Sequence, residues 1–214
     1  MIIPKLHYIS QGNSPKEHLE NIQKACTSGI ELVQLPLIND ASDKKMLKFA
    51  QEAREITAHF QTRLIIRDHY KIAKEIKADG VHLGQTDASP TLVRKNLYTW
   101  QMIGATANML QECEALLENE VDYICLGPFR ETTTDNNVSP ALGLNGYTAI
   151  IEILNTKTPI IGFGGITLED VIAILETGIN GLAVSGEITR NFDNIRTFNQ
   201  LLNASSTEEQ RYTF

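Results

Sequence analysis

The stretch PIIGFGGITLEDVIAILETGINGLAVSG, residues 159–186, contains a complete strand–helix–strand unit. An apolar run at 159–163 leads into paired glycines, and a second apolar run follows at 181–184. Between them, residues 168–177 carry apolar side chains at helical spacing, and Gly178 is a stop signal directly after them. The stretch therefore predicts two buried strands of a parallel sheet that are joined by one helix.

The same alternation continues along almost the whole chain. Short runs rich in Ile, Val and Leu suit strands that are buried on both faces of a parallel sheet. The eight predicted strands are residues 5–9, 32–37, 64–67, 80–83, 102–105, 123–126, 159–163 and 181–184. Eight alternations in about 200 residues predict an α/β fold, a single (β/α)8 TIM barrel near the lower end of its size range. A doubly wound open sheet is the alternative, although it usually has about five or six strands and a glycine-rich turn after the first.

Length and charge restrict the class of protein further. We assign residues 1–202 of the 214-residue chain to the barrel domain and residues 203–214 to a polar C-terminal tail. The formal charge of −7 is unlike that of a general nucleic-acid binder, which needs a basic face. No apolar run approaches the ~20 residues that cross a bilayer, and the N-terminal residues lack a secretory pattern. We therefore expect a cytoplasmic protein with neither a nucleic-acid nor a membrane partner.

Glycines follow the last two predicted strands, at the end of a barrel where functional groups lie. Gly164 and Gly165 come after the seventh strand, and Ser185 and Gly186 come after the eighth. Glycines let the backbone approach a ligand closely, and free N–H groups at such a turn attract an anion. These four residues predict a phosphate site, with simple turn glycines as the alternative.

Two aspartates that follow neighbouring strands form a second candidate site. Asp68 comes just after the third strand and Asp87 follows the fourth, so we expect both carboxylates to face one point above the barrel. Carboxylates with room for water suit Mg²⁺, which commonly links them to substrate phosphates. Alternatively, each aspartate caps the helix that follows it. The spacing alone does not separate the two interpretations.

The sixth strand runs into a long polar loop at residues 127–144, with three consecutive threonines at 132–134. A long loop at this end of a barrel is typical of a lid or a ligand-binding segment. His82 lies inside the fourth strand, where a lone histidine is more often a packing residue than a catalyst.

Several motifs around these residues occur together along the chain. They include ADGVHLGQTD at 78–87, LGPFRETTT at 126–134 and GFGGIT at 162–167. In this combination the chain resembles the thiamine phosphate synthase (thiamine-phosphate pyrophosphorylase) family. The resemblance implies a (β/α)8 barrel and a transferase of thiamine biosynthesis that uses Mg²⁺. The implied substrates are two small phosphorylated molecules, hydroxymethylpyrimidine diphosphate and hydroxyethylthiazole phosphate, which are joined with release of diphosphate. A homo-oligomer is compatible with this resemblance.

The resemblance also implies roles for individual residues. Asp68 and Asp87 would hold Mg²⁺ on the diphosphate. Gln34 and Thr106 would contact the pyrimidine diphosphate, with Thr106 as a catalytic residue. The residues implied at the thiazole phosphate are Thr132, Thr134, Gly164, Gly165, Ser185 and Gly186.

Four positions depart from the family pattern. Pro36 and Ile38 stand where the family has Arg and Lys. Arg67 stands where it has Asn, and Asp135 where it has Lys. Because a diphosphate leaving group needs cations, losing one well-placed donor typically lowers the rate about 10²–10³-fold. We therefore predict Arg67 as a catalytic residue that replaces one missing cation, and Arg130 in the long loop as a second candidate.

Other functions remain open at this point. A catalytically impaired relative that binds thiazole phosphate or thiamine phosphate would keep the phosphate glycines and lose the cations. A thiazole tautomerase-like protein is less consistent, because its catalytic histidine would fall near Pro128, where this chain has none. A sugar-phosphate epimerase would use His69 and His82 with the two aspartates as metal ligands.

Overall fold

Eight parallel strands form a closed barrel in a computed structural model that describes residues 2–37, 42–131 and 140–209. The strands are β1 (Leu6–Ile9), β2 (Leu32–Leu35), β3 (Arg63–Arg67), β4 (Gly80–Leu83), β5 (Met102–Ala107), β6 (Tyr123–Leu126), β7 (Ile160–Phe163) and β8 (Gly181–Val184). Each pairs in parallel with its sequence neighbours, and β8 closes the barrel against β1 through the pair Tyr8 and Val184. The predicted (β/α)8 barrel is therefore confirmed, and the open sheet is wrong.

Helices follow the strands and cover the outside of the barrel. Within the described residues they are α1 (Pro15–Thr27), α2 (Asp43–His59), α3 (Tyr70–Glu75), α4 (Pro90–Asn96), α5 (Leu110–Glu118), α6 (Gly143–Leu154), α7 (Val171–Glu176), α8 (Gly186–Arg190) and α9 (Asn194–Glu209), with a 3₁₀ turn (Leu168–Asp170) before α7. None of them is long and apolar enough to cross a membrane. Helix α9 continues past residue 202, and the boundary between barrel and tail stays a prediction.

Local sequence explains where these helices begin. Helix α1 starts with Pro15 after Ser14, whose hydroxyl accepts a hydrogen bond from the Glu17 amide at 3.2 Å. Helix α4 repeats the pattern, with Ser89 before Pro90. A serine cap satisfies an amide that has no partner within the helix, and proline at the first position needs no such partner.

Side chains alternate between the two faces of each strand, as a strand's period of two requires. Val33 and Leu35 of β2 pack in the large apolar layer between strands and helices, whereas Gln34 faces the barrel interior. The Tyr123 ring fills the middle of the interior beside Gly104, where an added Cβ would lie 2.0 Å from Tyr123 Cζ. The Tyr123 side chain is fully buried at this position.

Candidate active site

A cavity of about 580 Å³ opens at the carboxyl ends of the strands. The predicted site residues in its wall are Gln34, Arg67, Thr106, Gly164, Gly165, Ser185 and Gly186. The barrel therefore brings together residues from the ends of five strands. Thr132, Thr134, Ile38 and Asp135 lie outside the described residues.

Gln34 presents an unpaired oxygen in this wall. The His7 imidazole Nε2 lies 3.0 Å from the Pro4 carbonyl oxygen and donates to it, so Nδ1 is left as an acceptor. Gln34 Nε2 donates to that Nδ1 at 3.1 Å, which fixes the orientation of the amide. Burial lowers the pKa of His7 to about 4, so its ring stays neutral. Gln34 is 1% exposed and its Oε1 has no hydrogen-bond partner among the described residues, which suits an oxygen that receives a ligand N–H.

His82 holds Thr106 in position. Its Nε2 lies 2.8 Å from Thr106 Oγ1, and its Nδ1 lies 3.2 Å from the Tyr123 hydroxyl. Burial lowers the pKa of His82 well below its ordinary value, and the charge of Arg67 lowers it further. The ring is therefore neutral at pH 7, with one nitrogen donating and the other accepting. His82 also lines the cavity, so it is more than a packing residue.

Arg67 is a partly exposed cation in the cavity wall at the end of β3. Its guanidinium forms no ion pair or hydrogen bond with any residue that the structure describes. Among the described residues of the wall, the other charged side chains are Glu187 and Arg190, which pair with each other. Arg67 therefore leaves this described part of the wall with a net positive charge in a chain of formal charge −7, which favours an anionic ligand.

The structure brings Asp68 and Asp87 together. Their carboxyl groups hydrogen-bond to each other, and Asp87 Oδ2 also accepts from the Gly84 amide at 2.6 Å. Partial burial, the hydrogen bond with Asp87 and the charge of Asp87 raise the pKa of Asp68 to about 7, against the charge of Arg67. Near neutral pH Asp68 thus carries a proton for part of the time.

Neither aspartate caps a helix. The residue before α3 is His69, and Ser89, the residue before α4, accepts from an amide of that helix. The helix-cap interpretation is therefore wrong. The two carboxylates also differ from the expected geometry, because they line smaller depressions beside the main cavity and are absent from its wall. Thr106 lines both the cavity and the depression of Asp87, and so connects them.

The loop after β7 has the backbone of an anion site. Gly164 and Gly165 have φ angles of 96° and 67°, in the left-handed region that favours glycine. A Cβ on Gly164 would lie 2.6 Å from the Pro128 Cβ. The amides of both glycines donate no hydrogen bond to any described residue, and both residues line the cavity. Simple turn glycines would not need amides free at a cavity wall.

Arg130 does not supply a free cation, contrary to our expectation. Its guanidinium pairs with Asp170, 40 residues further along the chain, through both nitrogens. The sequence offered no periodicity that would join these two residues.

Several polar residues of the cavity wall were not predicted from the sequence, among them two hydrogen-bonded or ion-paired pairs. Ser10 Oγ lies 2.7 Å from His18 Nδ1, and Glu187 pairs with Arg190 in the first turn after β8. Glu187 and Arg190 could have been predicted from the sequence, because they lie in the first helical turn after the eighth strand. No sequence pattern distinguishes Ser10 and His18 from surface residues, because His18 lies on α1 and reaches the cavity through helix packing.

Comparison with known proteins agrees with this architecture. Residues 6–188 match the family model described as thiamine monophosphate synthase. The chain belongs to this family. It is 39% identical over 190 residues to a thiamine-phosphate synthase of Flavobacterium johnsoniae, covering 87% of this chain and 89% of the relative. It is 40% identical over 200 residues to one of Flavobacterium psychrophilum, covering 92% and 97%.

A solved structure supports the fold independently. Thiamine phosphate pyrophosphorylase from Pyrococcus furiosus superimposes with a TM-score of 0.79 and 23% identity, covering 94% of this chain and 96% of that one. The family resemblance drawn from the sequence motifs is thus confirmed.

Proposed function

We propose that the protein is a transferase of thiamine biosynthesis that joins hydroxymethylpyrimidine diphosphate to hydroxyethylthiazole phosphate. One observation carries the proposal: a single cavity joins the free amides after β7 to the unpaired cation Arg67. Two anionic substrates can therefore bind at opposite sides of one space. Strands β3 and β7 are four strands apart in the barrel of eight, so the two anions would face each other across the cavity.

In the proposed reaction the carbon–oxygen bond to the diphosphate breaks first, and its electron pair leaves with the diphosphate. The thiazole nitrogen then forms the new carbon–nitrogen bond to the pyrimidine methylene with its lone pair. Arg67 would stabilise the negative charge that grows on the leaving group. Gln34 Oε1 would accept a hydrogen bond from the pyrimidine amino group, which carries part of the positive charge of the intermediate cation. Thr106, held by His82, would donate to the diphosphate.

Mg²⁺ is part of this proposal. Asp68 and Asp87 suit it, because a hard cation prefers neighbouring carboxylate oxygens and its charge would favour the ionised form of Asp68. Bound there, the ion would offset part of the diphosphate charge. We further propose a cytoplasmic location, small phosphorylated substrates as the only partners of the site, and a homo-oligomer as compatible with it.

The test is incubation of the purified protein with both precursors and Mg²⁺, followed by detection of thiamine phosphate. We expect product that requires both precursors and that falls sharply without Mg²⁺ or in the Asp87→Asn variant. Arg54→Ala is the control, because Arg54 pairs with Asp79 and lines no part of the cavity.

A second candidate rests on Pro36, which lies in the cavity wall where the family has a cation. A protein that binds thiazole phosphate but forms no product would match that change. Absence of thiamine phosphate under all conditions, with thiazole phosphate bound, would favour this binder over the transferase.

A further inference from the structure

We propose that Arg130 is a positioning residue, which holds the peptides at 163–166 so that their amides face and bind the phosphate of the thiazole substrate. The identity of that phosphate rests on the proposed function. The role of Arg130 rests on its contacts. Arg130 Nη1 donates to the Gly165 carbonyl oxygen at 2.8 Å and to Asp170 Oδ2 at 2.6 Å, and Nη2 donates to Asp170 Oδ1. Its guanidinium carbon lies 4.8 Å from the centre of the Phe129 ring.

Three consecutive carbonyl groups of the loop bond to residues 129 and 130. The Phe163 oxygen accepts from the Phe129 amide at 2.7 Å, and the Gly164 oxygen accepts from the Arg130 amide at 3.0 Å. The Gly165 oxygen accepts from the Arg130 side chain. Two of the three bonds join backbone groups and do not depend on the side chain at residue 130. The third bond requires the Arg130 guanidinium.

The direction of the amides follows from the planarity of the peptide. In a trans peptide the N–H points opposite to the preceding C=O. With three carbonyls bonded toward residues 129 and 130, the amides of Gly164, Gly165 and Ile166 point away from them. Residues 163–167 line the cavity, whereas residues 129 and 130 do not. The three amides therefore point to the cavity side, as in a backbone concavity that binds anions.

Asp170 holds the Arg130 guanidinium in place through their ion pair. Its carboxylate accepts from the Thr167 amide and from the Thr167 hydroxyl, each at 2.8 Å, and its side chain is 11% exposed. Burial opposes ionisation of Asp170, but hydrogen bonds from Arg130 and Thr167 outweigh it and lower its pKa, so it is ionised at neutral pH. Both ends of the loop are thereby tied to one carboxylate, at Thr167 directly and at Gly165 through Arg130.

The pairing also argues against Arg130 as a direct phosphate ligand. Both guanidinium nitrogens that approach the loop are occupied by a carboxylate and a carbonyl oxygen. A bidentate pair of this kind is strong and geometrically specific. Arg130 thus acts on the phosphate through the Gly165 peptide.

Calorimetry with hydroxyethylthiazole phosphate and, separately, inorganic phosphate tests the role in binding. We expect Arg130→Ala to weaken affinity about tenfold, Asp170→Asn to cause a similar loss, and the double variant to lose no more than either single variant. A direct ligand would behave differently, because Asp170→Asn would free the arginine and leave affinity unchanged or raise it. That result, or additive losses in the double variant, would overturn the proposal.

Arg94→Ala is the matched control. Arg94 also donates to one backbone carbonyl, of Gln101 at 2.8 Å, and to one carboxylate, of Asp122 at 2.6 Å, but it lines no part of the cavity. We expect unchanged affinity in this variant. In turnover assays, Arg130→Ala should raise KM for the thiazole phosphate and leave KM for the pyrimidine diphosphate unchanged, and an equal rise in both would contradict the assignment.

Hydrogen–deuterium exchange separates this inference from the proposed function, since it needs no ligand. We expect the amides of Phe129 and Thr167, which donate to the Phe163 oxygen and to Asp170, to exchange about tenfold faster in Arg130→Ala than in the wild type or in Arg94→Ala. Equal exchange in all three proteins would overturn the positioning role. If exchange rises but the wild type binds neither thiazole phosphate nor inorganic phosphate, Arg130 still positions the loop. The phosphate site at this loop and the proposed function would then both be wrong.

Discussion

Replacing Arg67 with Ala removes the cation that the account places at the leaving diphosphate. The Arg67 guanidinium forms no ion pair or hydrogen bond with the described residues, so its charge is free for the ligand. A lost donor in a catalytic site typically lowers turnover about 10²–10³-fold. Because Arg67 is partly exposed, solvent weakens its effect, and we expect the lower end, about 10²-fold or ~2.7 kcal/mol in activation free energy.

The assay is steady-state formation of thiamine phosphate, with kcat/KM measured for the pyrimidine diphosphate. Arg67→Lys should recover part of the rate, since it keeps the charge but loses the planar fork. Arg63→Ala is the control, because Arg63 lies on the same strand at the opposite end of the barrel and donates to the Ile2 carbonyl oxygen. Thermal unfolding should confirm that Arg67→Ala stays folded. Robust turnover that is indifferent to Arg67→Ala would refute the electrostatic reasoning, even within the same family.

Two further predictions concern stability. Gly164→Ala should destabilise the fold by about 1–3 kcal/mol in denaturant unfolding, because alanine is strained at φ 96° and its Cβ would lie 2.6 Å from the Pro128 Cβ; a loss no larger than that of Gly143→Ala, at an open position with φ 57°, would contradict the close contact. His7 and His82 are buried and neutral, with lowered pKa values, so acid protonates them in the unfolded chain first. Their stabilisation is complete above pH ~6.5 and is lost as the pH falls toward about 4, the pKa of His7. His82→Gln should therefore reduce the slope of unfolding free energy between pH ~6 and ~5 by up to ~1.4 kcal/mol per pH unit, and an unchanged slope would show that His82 is not buried as a neutral ring.

The barrel was predictable because strands buried on both faces are continuous apolar runs. No observed strand end differs from the predicted one by more than two residues, as in β5, which ends at Ala107 and was expected to end at residue 105. The position of the site was predictable for the same reason. Once the strand ends are known, the fold requires Gln34, Arg67 and Gly164 to meet at one end of the barrel.

Contacts between side chains were harder to predict, because strand position does not determine side-chain direction. Asp68 follows its strand as expected, but its φ is 68°, its carboxyl group bonds to Asp87, and neither carboxylate lines the main cavity. Arg130 looked like a free cation from its loop, and only the packing of the following strand unit brings Asp170 within reach. Such pairings depend on tertiary packing that no local pattern encodes.

A crystal structure of the protein with thiamine phosphate and diphosphate bound together would test the central claim most directly. We predict that the phosphate of thiamine phosphate binds the amides of residues 164–166, that the diphosphate contacts Arg67, and that the pyrimidine amino group donates to Gln34 Oε1. Both anions bound outside this cavity, or a diphosphate that makes no contact with Arg67, would contradict it.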